Sequence, residues 1–177
     1  MISRTGFLIL GLLSEGPLTG YEIRKTTLAR FRFFWNESYG QIYPQLKKLD
    51  ADGFIRSELD GGNSRGSIHY SLRPKGRKAL EAWLDEGDAQ DQLRLESVLR
   101  IYLSAIMGLP SCAATIREFE MKSTSALADM ERMRARLSSD QDPHGNHAKI
   151  LSILDLGIRT YAAWAQWASE TELSKEP

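Results

Sequence analysis

The sequence predicts a mainly α-helical chain in two modules, broken once by a β-hairpin. Three observations carry this. Apolar residues recur at helical spacing through most of the 177 positions. Only two short runs, Phe54 to Leu59 and Ser67 to Leu72, alternate with period two around a Gly-rich tip. A polar, acidic stretch from Gly87 to Gln90 then separates a basic front from an acidic back. From Met1 to Leu84 there are 13 Lys and Arg against 8 Asp and Glu, a balance of +5. From Asp85 to Pro177 the numbers are 10 against 15, giving −5 and a net charge of zero. That asymmetry fits a polyanion-binding module joined to one that stays clear of the polyanion.

The first helix is expected from Ile2 to Ser14, where Phe7, Leu8, Leu10, Leu12 and Leu13 make it too apolar for a surface helix. Gly16-Pro17 ends it. Thr19 caps the second helix, and Glu22 three residues on completes a capping box. This helix should run through Tyr21, Ile23 and Leu28 to about Phe34, with Arg24, Lys25, Arg30 and Arg32 outside.

The third helix lies within Glu37 to Arg56. Ser38 and Gln41 read as a capping box, and Ile42, Leu46 and Leu49 form one stripe for a core. Tyr39, Gln41, Tyr43, Lys47 and Lys48 fall largely off that stripe, and such donors and aromatics suit phosphates and base edges. Pro44 should tighten or bend the helix start, and Gly53 should end it in the left-handed region. The hairpin follows, with Asp60 to Gly66 as its tip and Arg65 as a phosphate contact. Pro74 suits the first position of a fourth helix carrying Ala79, Leu80, Trp83 and Leu84. Three helices, a two-stranded wing and a further helix make a winged helix-turn-helix domain, expected over residues 1–86.

The runs ILGLLSEGPLTGYEI, YGQIYPQLKKLDADGFI and IHYSLRPKGRKALEAWL resemble the PadR family of winged-helix transcriptional regulators over roughly the first 84 residues. The resemblance implies a homodimeric repressor whose third helix enters the major groove while the wing touches the backbone; a cytoplasmic location is the default expectation from the lone Cys112 and the lack of a long apolar run. It places Tyr39, Gln41 and Tyr43 at the DNA, with Lys47 nearby. One departure stands out: Arg73 precedes Pro74 where a Thr is usual, so the fourth helix loses a side-chain cap worth about 1 kcal/mol.

The second module, expected over 90–172, is read as a helical dimerisation module with an effector-sensing role left open. An amphipathic helix from Leu93 to Met107 comes first. A long helix opening at Ser111 then carries a seam of Ile116, Phe119, Ser123, Ala126, Met130, Met133 and Leu137, at steps of 3 and 4. The last helix, from about Asn146 to Ser169, sets Leu151, Leu154, Ile158, Tyr161, Ala165 and Ala168 on one seam, widened by Trp164 and Trp167. These two helices should pack as an antiparallel hairpin with apolar surface left for a second subunit. Ile116, Phe119, Met130, Met133, Ile158, Tyr161 and Trp164 are the candidate dimer residues.

Other functions find little support. The single Cys112 excludes an intramolecular disulfide. No apolar run reaches the roughly 18 residues of a membrane span. His144 and His147 beside Asp140 and Asp142 match no closed zinc arrangement, so no metal and no cofactor are expected. There is no phosphate loop, nucleophile elbow or histidine-carboxylate pair, which argues against an enzyme. The expected function is a homodimeric, sequence-specific repressor on a near-palindromic operator in double-stranded DNA, released by a small-molecule effector. The rival is a winged-helix adaptor that binds protein instead of DNA.

Overall fold

In the computed structural model the helix ends and strand pairings of the first unit position the surface described below. The structure describes residues 1–31, 33, 35, 39–59, 67–87, 91, 93–142 and 145–174. Contacts divide the chain into two compact units, Met1–Gln90 and Asp91–Pro177.

In the first unit, α1 spans Arg4–Leu13, and Ser3 caps it by accepting the Gly6 N–H at 3.0 Å. Its Ile9, Leu10, Leu12 and Leu13 are buried. Helix α2 spans Gly20–Phe31, three residues shorter than expected. The Thr19–Glu22 box is complete. The Thr19 N–H donates to the Glu22 carboxylate at 2.7 Å, and the Glu22 N–H donates to Thr19 Oγ1 at 3.2 Å. The backbone and side-chain donors of Thr19 hold the Glu22 carboxyl below its ordinary value.

The sheet has three strands rather than the expected two. β1 (Leu18–Thr19) pairs antiparallel with β3 (Ile68–Leu72), which pairs on its other edge with β2 (Ile55–Leu59). Thr19 therefore caps α2 and meets His69 in the sheet, so the start of α2 is fixed to the wing.

Helix α3 spans Ile42–Ala51 and is preceded by a 3-10 turn, Tyr39–Gln41. Pro44 explains the change of winding: it has no N–H to offer Gly40, so regular α-helix begins later and the chain before it winds tighter. The expected Ser38–Gln41 capping box needs correction. The residue at the cap is Gln41, whose side chain makes no capping bond, and Ser38 lies outside the described residues. The other end behaves as expected. Gly53 takes φ +75°, Phe54 N–H reaches Leu49 C=O at 2.9 Å, and Gly53 N–H reaches Asp50 C=O at 2.9 Å, which is a Schellman closure. Lys75 adds a cation there, donating to Asp52 C=O at 2.7 Å. Asp50 ties the same helix to the wing by accepting from Ser57 N–H and Oγ at 3.2 and 2.6 Å.

Helix α4 spans Pro74–Asp85 with Pro74 in its first turn, and Arg73 supplies no side-chain cap, as its chemistry requires. The helix lies so close to the corner after α3 that a Cβ on Gly76 would be 2.3 Å from the Phe54 carbonyl oxygen. Ile9, Leu10, Leu12, Leu13, Ile23, Ile42, Leu46, Leu49 and Ile55 form the core of this unit.

The second unit contains α5 (Glu96–Ile106), α6 (Ser111–Ser139) and α7 (His147–Glu170). Phe119 near the start of α6 meets Trp164 and Trp167 late in α7, while His147 at the start of α7 bonds Leu137 C=O at 3.0 Å. The pair is therefore antiparallel. Asp142 organises the turn by accepting from the N–H groups of Asn146 and His147 at 3.0 and 2.9 Å. Burial raises its pKa, but these backbone donors more than offset that and leave the carboxyl lowered.

Candidate nucleic-acid interface

Helix α3 has two faces. Ile42, Leu46 and Leu49 are fully buried, whereas Gln41, Tyr43, Lys47 and Lys48 are exposed. Among the described residues, neither Lys47 nor Lys48 makes an ion pair; Lys48 has only a 3.4 Å contact with Met1 C=O. Among the described residues no carboxylate neutralises the two ammonium groups.

Tyr43 is half exposed, and its ring edge lies on the first turn of α2. A Cβ on Gly20 would be 2.7 Å from Tyr43 Cε1 and 3.4 Å from Cδ1. Glycine lets the two helices approach closely enough for the backbone to seat the ring. Tyr70 of β3 stands behind the same region. Burial raises its phenol pKa, and the nearby Asp50 and Tyr43 add to the shift. Three elements therefore meet at Tyr43.

The structure brings Gln41, Tyr43, Lys47 and Lys48 onto one exposed helix face. Tyr39 opens the 3-10 turn, but its side chain lies outside the described residues, as does Arg65 in the wing tip. Tyr21 was missed from sequence, having been placed among the apolar positions of α2. It is 65% exposed and follows Gly20 directly, beside the seat of Tyr43. With Arg24, Lys25, Leu28 and Ala29 it lines a shallow groove of about 400 Å³ on α2. Its position beside the cap of α2, where polar aromatics face solvent, was the available signal.

Ile116, Phe119, Met130 and Ile158 are buried within their own unit, where α6 and α7 pack together. A side chain already enclosed by its own subunit has no surface to give a second one. Met133, Tyr161 and Trp164 are half-buried, and Tyr161 packs edge-on to Trp164 at 4.8 Å. Helix α5 carries unspent apolar surface, with Val98, Leu99, Tyr102, Leu103 and Ile106 exposed and Ile101 buried, and Met121 of α6 and Ile153, Leu156 and Trp167 of α7 are exposed as well.

Among the described residues no helix is long and apolar enough to cross a membrane, and no group of His, Cys, Asp and Glu could hold a metal. Cys112 is buried, with Sγ 3.8 Å from Ile101 C=O.

A capped helix pair, a third helix with an outward cationic face and a three-stranded wing define a winged helix-turn-helix protein with an appended helical unit. Residues 9–82 match the transcriptional regulator PadR-like family, and residues 93–173 match the virulence activator alpha C-term family. The negative transcriptional regulator PadR of Bacillus subtilis (strain 168) is 28% identical over 140 residues, covering 77% of this chain and 76% of that protein. Crystal structures share the fold across almost the whole chain. Bacillus subtilis PadR in complex with operator DNA superposes with TM-score 0.79 at 23% identity, covering 97% of each chain. Its complex with p-coumaric acid gives 0.70 at 23%, covering 94% of each. The Vibrio cholerae virulence activator AphA gives 0.75 at 24%, covering 97% of this chain and 96% of that one. Residues 9–82 are thus similar to the PadR-like family, and both that family and the matched relative are transcriptional regulators.

Proposed function

We propose that this chain is a homodimeric, sequence-specific DNA-binding repressor whose α3 reads the major groove and whose operator affinity falls when a small molecule binds. The observation that carries the reading is the outward face of α3, where Gln41, Tyr43, Lys47 and Lys48 stand exposed over a buried apolar stripe. Lys47 and Lys48 contact phosphates, Gln41 and Tyr43 reach base edges or sugars, and Tyr39 and Arg65 extend the contact along the strand. Tyr21 joins them from α2. The relatives support this assignment: one was solved with operator DNA, and the same protein was also solved with p-coumaric acid.

The dimer is formed through the second unit, chiefly by the exposed apolar stripe of α5 with contributions from Met133, Tyr161 and Trp164. A contiguous apolar surface of this kind marks an interaction site on a soluble protein. Two copies of α3 presented about 34 Å apart would read a near-palindromic operator.

Selection of bound sequences from random duplex, followed by anisotropy titration of the selected DNA over a range of salt, tests the reading. Expected are a steep fall of affinity with salt, and a slope lower by about 2 per dimer in Lys47→Gln, since each lost phosphate contact removes about 0.9. Tyr43→Ala should weaken binding and leave the dimer intact. No selected sequence, or affinity indifferent to salt, would overturn the assignment.

A further inference from the structure

The face of the wing that meets α3 changes character along its length. Successive side chains of a strand alternate between faces, so Ile55, Ser57 and Leu59 of β2 share one, opposite Leu72, Tyr70 and Ile68 of β3. The innermost pair belongs to the core: Ile55 is fully buried and Leu72 packs against the same cluster. The middle pair meets α3. Ser57 donates to the Asp50 carboxylate from Oγ at 2.6 Å and from its N–H at 3.2 Å. The Tyr70 phenol lies close enough to Asp50 and Tyr43 for both to raise its pKa, after burial. The outermost pair is aliphatic and uncovered, with Leu59 75% and Ile68 42% exposed.

Isolated exposed aliphatics are common on protein surfaces and mean little. This pair differs in where it lies. At about 3.4 Å per residue, Leu59 stands about 7 Å beyond Ser57, the residue bonded to α3. The Asp50–Ser57 bonds splint the hairpin to the helix that carries Tyr43, Lys47 and Lys48, so the pair adjoins that outward face. A surface beside α3 meets whatever α3 binds. The strands themselves add no free cation for a phosphate. Their one Lys or Arg, Arg56, alternates to the other face and is paired with Glu58 at 3.0 Å. What this part of the wing offers a ligand is apolar surface.

We infer that the Leu59–Ile68 pair is an apolar contact for the duplex, seated on the sugar and base edges of the minor groove next to the major groove read by α3. The inference rests on the DNA-binding reading above and adds to it a contact that neutralises no phosphate. Apolar side chains pressed into a minor groove partially unstack and bend the duplex, so their contribution depends on how deformable the flanking sequence is. Such a contact does not displace the counterions that give binding its salt dependence.

Anisotropy titration of the full chain with its selected operator over a range of salt provides the test. The double variant Leu59→Thr, Ile68→Thr keeps residues suited to strands at two exposed positions and should stay folded by circular dichroism. It should bind about tenfold more weakly and keep the wild-type salt slope. Leu59→Met should keep wild-type affinity. Ser57→Ala, which loosens the splint without touching the pair, should weaken binding several-fold at an unchanged slope. Lys47→Gln, with its lowered slope, shows what loss of a phosphate contact looks like. In the double variant, wild-type affinity, a lowered slope or a change of oligomeric state would each overturn the inference and leave the DNA-binding reading standing. A wild-type protein that selects no sequence would overturn that reading, and this inference with it.

Discussion

Replacing Gly20 by alanine isolates the seat of Tyr43 from the stability of the domain. Gly20 opens α2 and is buried. For the helix alone, alanine there is neutral or stabilising, since glycine costs more backbone entropy on folding. The added methyl would nevertheless stand 2.7 Å from Tyr43 Cε1, whereas carbon atoms in contact sit about 3.5 to 4.0 Å apart. The ring must therefore move by about 1 Å. It can do so because Tyr43 is half exposed, so the strain is released outward and the fold survives. A displaced phenol loses its alignment with the duplex. If one hydrogen bond of about 1 kcal/mol is lost at each half-site, the dimer loses about 2 kcal/mol, or roughly 30-fold in operator affinity. Anisotropy titration at fixed salt reads the affinity, and urea unfolding reads the stability. A double-mutant cycle with Tyr43→Ala completes the test, because Gly20→Ala should be silent once the ring is gone. Wild-type affinity in folded Gly20→Ala, or an undiminished loss in the Tyr43→Ala background, would refute the reasoning. An unaffected Tyr43→Ala would instead refute the role of Tyr43 itself.

Gly76→Ala should behave oppositely. Its methyl would meet the Phe54 carbonyl at 2.3 Å, a backbone group that cannot rotate away, so a loss of about 2–3 kcal/mol and a melting midpoint lower by roughly 10 °C or more are expected by circular dichroism. Thr19→Ala should cost about 1 kcal/mol through the lost cap, measured by urea unfolding. Because the Glu22 pKa is lowered on folding, its contribution is present above the ordinary value of about 4.5 and fades as pH falls through the lowered one; Glu22→Gln should flatten that acid limb of the stability curve. Leu99→Glu on α5 should split the dimer in sedimentation while leaving the helical signal intact, whereas Ile116→Glu should unfold the second unit, since only the first of these side chains is exposed.

The helices of the first unit were legible because their signals are local. Thr19 and Glu22 three residues apart, Pro74 in a first turn and Gly53 after a periodic stretch each name one backbone geometry, and each is found there. Strand β1 was not legible. Two residues cannot display a period of two, and Leu18–Thr19 becomes a strand only because β3 offers it an edge. The cap of α3 failed for a related reason. Ser38 and Gln41 have the spacing of a capping box, but the signal holds only if an α-helix starts between them. Pro44 disfavours that start by withholding one N–H, and a tighter turn, Tyr39–Gln41, precedes the helix instead.

The interface residues of the second unit show a different limit. A heptad seam states that a helix face must be covered and says nothing about which chain covers it. Ile116, Phe119, Met130 and Ile158 look from sequence like dimer contacts because the apolar faces of the two helices are wider than one hairpin partner needs, and in the structure these four are buried where α6 and α7 pack. The informative comparison is between helices. Ile116, Phe119, Met130, Leu154 and Ile158 of α6 and α7 are buried within one subunit, whereas five apolar side chains of α5 stay in solvent, as do Met121, Ile153, Leu156 and Trp167. Leaving side chains of that size uncovered forgoes on the order of 1.5–3 kcal/mol each when fully buried, a cost that a second subunit would recover. Helix α1 likewise has a second apolar stripe, which lines a cleft within the first unit. In both helices the excess of apolar residues was visible in sequence. The packing adds that the excess on α5 stays in solvent, in a stripe at helical spacing that another protein surface could cover.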